Sequence, residues 1–144
     1  MKNRHPKNSN SETLNRRGIE LADRGWLDEA IREFDLAIEA DRKSPFPRIN
    51  RASVYMEKGL NLEALEDLLR AVKLAPDNAA THYHLGAFLS RFGSSMAVEQ
   101  LQQCLDGEPE NIDALIQLGP TLAERGEIKE AEDNFRAALE IDFE

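Results

Sequence analysis

The sequence predicts an all-α fold, a solenoid of four helix-turn-helix repeats with eight helices, and three observations carry this prediction. Glycines preceded by a basic or aromatic residue recur at spacings of 34, 34 and 33 residues, at Gly25, Gly59, Gly93 and Gly126. Each glycine is followed by an alanine, then by a large apolar residue and a small residue at constant offsets from that alanine. Apolar residues on both sides of each glycine recur at steps of three and four, the spacing of one helix face. Self-similarity at this period is typical of helical repeat arrays.

The helix boundaries follow from residues that start or stop helices. Each glycine should end the first helix of its repeat, because glycine tolerates the left-handed conformation that closes helices. Asp28 and Glu29 favour a helix start just after the first glycine, since acidic side chains are stabilising in a first turn. Polar or proline-containing stretches at 41–44, 75–78 and 108–109 should stop the second helices. The repeats are therefore placed at about 11–44, 45–78, 79–111 and 112–144.

Residues 1–10 are predicted to form a disordered basic leader in front of a single domain at 11–144. They contain Lys2, Arg4 and Lys7, no acidic residue and no apolar run behind the charges, so they do not resemble a secretory signal. Ser11 and Thr13 offer hydroxyl groups that could cap the first helix.

Two irregularities distinguish the later repeats. The alanine follows the glycine by four residues in the third repeat and by five elsewhere. The turn between the helices of the third repeat is therefore predicted to be one residue short. In the fourth repeat Pro120 lies inside the first helix, where its ring clashes with the preceding turn, and a kink is expected near Ile116–Pro120.

The columns of small and large residues predict how the helices pack. Small residues on the first helices are expected to face the alanines of the second helices, and the large apolar residues to fill the space between neighbouring repeats. The small residues are Gly18, Ala52, Gly86 and Gly119, and the large ones are Phe34, Leu68, Leu101 and Phe135.

The charge and the composition exclude several classes of protein. The formal net charge is −9, and the residues after position 10 carry 15 basic and 27 acidic side chains, which disfavours nucleic acid as a partner. A single cysteine rules out an intramolecular disulfide bond. No stretch approaches the roughly 20 apolar residues that a membrane span needs. A cytoplasmic protein is expected.

No catalytic or metal-binding pattern stands out. His82 and His84 are two residues apart, so on a helix they point in nearly opposite directions and cannot hold one metal ion. Cys104 lies in a column of small core residues and is expected to be an inert buried thiol. The sequence therefore predicts no enzyme activity, no cofactor and no metal.

The repeated columns resemble the tetratricopeptide repeat family over residues 11–144. Leu85-Gly86 and Leu118-Gly119 match the Leu-Gly pair of the family pattern. The Ala-large-Ala column and the closing Pro76 and Pro109 match as well, whereas Arg17 and Arg51 stand where leucine is usual. The resemblance implies a right-handed α-solenoid whose concave groove is lined by the first helix of each repeat.

That resemblance also implies the candidate site and the class of function. The chain is expected to be a non-enzymatic scaffold or adaptor that binds a protein or peptide segment with apolar anchors, possibly basic, in the groove. The carboxylate-gripping set of the co-chaperone members of the family is not matched, since only Asn50 agrees with it. The predicted partner-binding residues are Asn15, Ile19, Phe46, Ile49, Asn50, Ser53, Met56, Tyr83, His84, Ala87, Arg91, Ile116 and Gln117.

A second hypothesis is self-assembly. The last helix should expose Ile128, Phe135 and Leu139 on a face that a further repeat would cover. Such an apolar edge favours a homodimer through the C-terminal helix.

Overall fold

The structure, a computed structural model, describes residues 6–93 and 95–142, and these residues form eight α-helices. The predicted all-α repeat fold is confirmed. The helices are α1 (Pro6–Asp23), α2 (Leu27–Ala40), α3 (Phe46–Glu57), α4 (Asn61–Leu74), α5 (Ala79–Arg91), α6 (Met96–Gly107), α7 (Ile112–Glu124) and α8 (Ile128–Asp142). Among the described residues no helix is both long enough and apolar enough to cross a membrane.

The chain divides into two compact units, residues 1–75 and residues 76–144. In the first unit α1 packs on α2 and α3 on α4, while α3 also contacts both α1 and α2. The second unit repeats this scheme, because α5 packs on α6, α7 packs on α8, and α7 contacts both α5 and α6. The expectation of a single domain over residues 11–144 stays a prediction.

The first helix begins earlier than the sequence indicated. Helix α1 starts at Pro6, five residues before the expected start at Ser11, and residues 1–5 of the predicted leader lie outside the described residues. Ser11 is therefore inside the helix and does not cap it. Its hydroxyl group is buried and donates a hydrogen bond of 2.8 Å to the carbonyl oxygen of Ala37, which ties α1 to α2.

The repeated glycines close the first helices as predicted. Gly25, Gly59, Gly93 and Gly126 have φ angles of 79°, 75°, 64° and 80°, in the left-handed region. The amide of Gly25 donates to the carbonyl of Ala22, and the amide of Trp26 donates to that of Leu21. These two bonds form a Schellman motif, which satisfies carbonyl groups that the end of a helix leaves without partners.

The irregularity of the third repeat lies in its helix and not in its turn. Helices α2, α4 and α8 begin two residues after their glycine, whereas α6 begins three residues after Gly93. The prediction of a shorter turn is therefore wrong. Counted back from Ala97, α6 lacks two helical residues at its start, one through the shorter spacing from Gly93 to Ala97 and one because the helix begins a residue later after its glycine. Helix α6 accordingly has 12 residues, against 14 in α2 and in α4.

The small residues of the first helices face the large residues of the second helices, and not the alanines as predicted. A Cβ atom added to Gly18 would lie 2.4 Å from the ring of Phe34. One added to Gly119 would lie 2.6 Å from the ring of Phe135, and one added to Gly86 would lie 2.8 Å from Leu101. The large side chain of α2, α6 or α8 thus fills the space that the glycine of the same hairpin leaves open.

Helix α7 runs from Ile112 to Glu124 without a break, although Pro120 lies inside it. The side chain of Pro120 is exposed, so the ring does not displace the buried face that Leu118 and Leu122 form. The kink expected near Ile116–Pro120 stays a prediction.

Candidate functional site

In the first unit, the candidate binding residues lie on α1 and α3, and they are not equally accessible. Ile19, Phe46 and Ser53 are exposed, and Asn15, Asn50 and Met56 are half-buried. Ile49 is only 4% exposed, so its predicted role as an exposed apolar anchor is wrong. The reason is that α3 packs against both α1 and α2, which covers more of its surface than a single hairpin partner would.

The two candidate asparagines are bonded to each other. The side-chain amide group of Asn50 donates a hydrogen bond of 3.0 Å to the amide oxygen of Asn15, across the contact between α3 and α1. The bond does not use the side-chain NH2 group of Asn15, which is a donor, or the side-chain oxygen of Asn50, which is an acceptor. One donor and one acceptor are thus held in fixed positions, as the backbone of an extended peptide requires.

A cavity of about 170 Å³ lies beside this pair in the first unit. Phe46, Asn15, Glu12 and Asp41 are among the residues that line it. The residues around the cavity therefore include one aromatic residue, one amide residue and two acidic residues. This combination suits a peptide side chain with an apolar stem and a basic end.

In the second unit, the candidate residues on α5 form a partly buried aromatic pair. The rings of Tyr83 and His84 are 5.1 Å apart and meet edge to face at 71°. Burial raises the pKa of the Tyr83 hydroxyl, and the carboxylate of Asp113 adds to this effect. Burial lowers the pKa of His84, so the neutral imidazole is favoured. Both groups are therefore uncharged hydrogen-bonding partners near neutral pH.

The remaining candidates of the second unit differ in their surroundings. Arg91 is exposed at the end of α5, and Ala87 and Gln117 are half-buried. Ile116 is exposed, but it lines a cavity that also involves Phe135 and Leu139 of α8. The side chain of Ile116 is thus shared between the predicted groove and the last helix.

His82 and Cys104 are built into the second unit as structural groups. The Nε2 atom of His82 lies 2.6 Å from the carbonyl oxygen of Pro76, and its Nδ1 atom lies 2.9 Å from Oε1 of Gln100. Cys104 is fully buried, and burial raises the pKa of its thiol to about 11, with a further contribution from Glu108. Within 6–93 and 95–142 no three histidine, cysteine or acidic side chains are grouped as metal ligands.

Arg51 forms a charged network that the sequence analysis missed. Its Nε and Nη2 atoms donate to both carboxylate oxygens of Asp67 at 2.8 and 2.6 Å, and its Nη1 atom donates to Asp35 at 2.7 Å. Burial acts to lower the pKa of the guanidinium, but the hydrogen bonds to Asp67 and Asp35 outweigh it and raise that pKa. The sequence does contain a signal for this network. Asp67 follows the unusual Arg51 by 16 residues and lies on the same helix face as the core residues Ala64 and Ala71.

The paired helices, the left-handed glycine turns and the partly exposed faces of the first helices define a helical-hairpin repeat protein. The chain belongs to the tetratricopeptide repeat family. A family model described as "TPR repeat" matches residues 52–91, and one described as "Tetratricopeptide repeat" matches residues 112–144. The range 52–91 contains the turn at Gly59, and the range 112–144 contains the turn at Gly126.

Similar proteins extend this assignment. Tetratricopeptide repeat protein 36 of Caenorhabditis elegans is 39% identical over 77 residues, which are 54% of this chain and 43% of that protein. The chain thus spans less than half the length of that relative. A crystal structure of MamA has 26% sequence identity and a TM-score of 0.80, covering 92% of this chain and 78% of that one. YrrB, described as a TPR protein with an unusual peptide-binding site, has 25% identity and a TM-score of 0.75, covering 90% and 67%.

Proposed function

We propose that this chain is a non-enzymatic interaction scaffold that binds a peptide or partner segment through the exposed faces of its first helices. The observation that carries the proposal is the surface of the first unit, where the bonded Asn15–Asn50 pair lies beside the cavity that Phe46 lines. The amide groups supply backbone hydrogen bonds, and the exposed ring of Phe46 supplies an apolar anchor. The similarity to YrrB, which has a peptide-binding site, supports this class of function.

The partner is proposed to be a segment with apolar side chains and at least one basic residue. Glu12 and Asp41 line the cavity with Phe46, and the net charge of −9 attracts basic segments over longer distances. A cytoplasmic location is part of the same proposal.

The experiment is a selection of peptides of about 12 residues from a random library on the full chain, followed by calorimetric titration of the selected peptide. Phe46→Ala and Asn50→Ala should each weaken binding by at least about tenfold, which corresponds to about 1.4 kcal/mol. Tyr83→Ala tests the second unit in the same way. Leu62→Ala is the control, because Leu62 is 76% exposed and belongs to a second helix. Equal affinity for the wild-type chain and all three groove variants would show that the binding surface lies elsewhere.

Self-assembly through the last helix is the second candidate function. One observation favours it: Phe135 and Leu139 remain exposed on α8, beside Ile116 of α7. Sedimentation at two protein concentrations tests this hypothesis. A molar mass that stays at 16.3 kDa at both concentrations would rule out self-assembly.

A further inference from the structure

A group of arginines lies in the first unit of a chain whose net charge is −9. Arg48 of α3 and Arg70 of α4 belong to this group, together with Arg42 between α2 and α3. Arg42 and Arg70 are exposed, and Arg48 is half-buried. We call these three residues the arginine cluster.

The register of the α3–α4 hairpin makes Arg48 and Arg70 neighbours. Arg51 of α3 bonds to Asp67 of α4, which aligns the two antiparallel helices. Arg48 precedes Arg51 by one helical turn, and Arg70 follows Asp67 by one turn. Because the helices run in opposite directions, both steps lead to the same end of the hairpin. Arg48 and Arg70 therefore lie at one level, on the same side of the Arg51–Asp67 ion pair.

The positive charges of the arginine cluster act on one another. Burial lowers the pKa of Arg48, and the positive charge of Arg51 lowers it further. The carboxylate of Asp67 opposes this effect, but the other two guanidinium groups of the cluster add to it. Like charges at such distances repel one another, so a bound anion would relieve the repulsion.

The neighbouring carboxylates do not neutralise the arginine cluster. Asp67 and Asp35 both bond to Arg51. Glu66 precedes Arg70 by four residues on α4, and both side chains are exposed. The ion pairs between described residues, however, include no member of the arginine cluster. Within this part of the chain, the positive charge of the cluster is thus left for a partner to neutralise.

The guanidinium group of Arg48 is held in place before any partner binds. Its Nη1 atom donates to the carbonyl oxygen of Arg42 at 3.1 Å and to that of Ser44 at 3.5 Å. These bonds do not use its Nε and Nη2 groups, and a guanidinium can bind a carboxylate through two parallel hydrogen bonds. Arg48 also lies in the first turn of α3, the end of a helix that attracts negative charge. A donor fixed in this way loses little conformational freedom on binding.

We propose that the arginine cluster binds an acidic segment of a partner protein. Aspartate or glutamate side chains of the segment pair with Arg48 and Arg70, and a neighbouring carboxylate pairs with Arg42. A row of carboxylates fits three arginines on two helices and a loop, because each guanidinium group receives its own partner. The Debye length at physiological salt is about 8 Å, so more distant acidic residues of the chain are largely screened and do not prevent these contacts.

The arginine cluster is separate from the peptide-binding residues of the first unit. Arg48 is two residues from both Phe46 and Asn50, and side chains two residues apart on a helix point in nearly opposite directions. The cluster is also selective for acidic segments, whereas the groove is proposed to take basic ones. This function is therefore additional to the groove, and the two can be tested separately.

The test measures binding of a glutamate peptide to the full chain by fluorescence anisotropy at physiological ionic strength. The labelled peptide consists of about eight glutamates, which span about 25 Å when extended. A peptide with glutamine at every position is the ligand control. Arg48→Gln and Arg70→Gln should each weaken binding by at least about threefold, equivalent to about 0.7 kcal/mol. Arg32→Gln and Arg136→Gln are the matched controls, since they remove the same charge from exposed arginines outside the cluster.

The outcomes decide between the possible ligands. The proposal is supported if the glutamate peptide binds in a 1:1 ratio and only the two cluster variants lose affinity. No binding, equal affinity for the glutamine peptide, or equal losses in the matched controls would overturn it. Displacement of the peptide by an equimolar amount of inorganic phosphate would also overturn it, because a small anion would then be the ligand.

A second copy of the chain is excluded in the same experiment. A dimer in sedimentation that Arg70→Gln dissociates would show that an acidic segment of another copy occupies the cluster, and it would overturn the proposal. Arg70 is exposed, so its substitution leaves the packing of α4 intact. Phe46→Ala should not change the affinity for the glutamate peptide, so failure here and failure of the groove proposal are distinguishable.

Discussion

Arg51 shows how one residue replaces an apolar contact by a network of charges. It stands where Leu85 and Leu118 stand in the third and fourth repeats, and it reaches Asp67 on α4 and Asp35 on α2. The guanidinium also lies 5.6 Å from the ring of Tyr55. Asp67 is almost fully buried and bonds to Arg51 through both carboxylate oxygens, so Arg51 is the hydrogen-bonding partner of a buried side chain.

Arg51→Leu should lower the free energy of unfolding by about 3–5 kcal/mol, because it leaves the Asp67 carboxylate buried without its bidentate partner. The double variant Arg51→Leu/Asp67→Asn should recover most of that loss. It reproduces the combination of Leu118 and Asn134 found at the same positions of the fourth repeat. Urea denaturation of the three proteins measures the effect. If the double variant is as unstable as the single one, the buried charge is not the cause.

The contact between Gly18 and Phe34 gives a second prediction at the residue scale. Gly18→Ala places a Cβ atom 2.4 Å from a ring that is 1% exposed and has no room to move. Overpacking of this kind costs about 1–3 kcal/mol, which outweighs the gain of up to about 1 kcal/mol in helix propensity. Adding Phe34→Leu should restore stability, since the second repeat combines Ala52 with Leu68.

Gly119→Ala is the comparison for this prediction. Its added Cβ atom meets the ring of Phe135, which is partly exposed and can rotate towards solvent. The melting temperature of Gly119→Ala should therefore fall less than that of Gly18→Ala. The reverse order would mean that ring mobility does not control the cost.

At the scale of the elements, the turns between the helices depend on backbone conformation alone. Gly126 has a φ angle of 80°, and no atom lies within 4 Å of a Cβ atom added there. Gly126→Ala should therefore lower the free energy of unfolding by about 1–2 kcal/mol, the cost of the left-handed conformation for an L-residue.

Gly107→Ala is the matched control for the turn. Gly107 lies at the end of α6 without a positive φ angle, and its added Cβ atom would be 3.4 Å from that of Ala79. This substitution should be neutral or slightly stabilising in the same thermal unfolding measurement. A loss equal to that of Gly126→Ala would show that the conformation of the turn is not what requires glycine.

At the scale of the whole molecule, the buried thiol of Cys104 can report on the stability and the opening of the second compact unit. The thiol lies in the core of the second unit, and its pKa is raised from the ordinary 9.0 to about 11 by burial. Because the folded state favours the protonated thiol, its contribution to stability is complete below about pH 9. It is lost as the pH rises towards 11, by up to about 2–3 kcal/mol.

The stability of the wild-type chain should therefore fall more steeply between pH 9 and pH 11 than that of Cys104→Ala, which has alanine as the other repeats do. Urea denaturation across this range isolates the thiol from lysine and tyrosine titration. Parallel curves for the two proteins would contradict the raised pKa. Labelling of the thiol at pH 8 should be slow in the native chain, because it requires the second unit to open.

The sequence alone determined the helices, their order and the glycine turns, because these depend on local spacing and on backbone conformation. The helix stops at Asp41, Ala75 and Glu108 coincide with polar or proline-flanked stretches that can be recognised in one dimension. The columns of Ala, large and small residues also indicated the family, since four copies in phase leave few other folds.

Only the tertiary structure decided which side chains meet. The pairing of Gly18 with Phe34, the burial of Ile49 and the bidentate bond between Arg51 and Asp67 each depend on the approach of two helices in space. The same holds for the early start of α1, whose Ser11 bonds to Ala37. Helix periodicity tells which residues share a face, but the distance and the angle between two faces come from packing, and they determine which residues are buried and which can bind a partner.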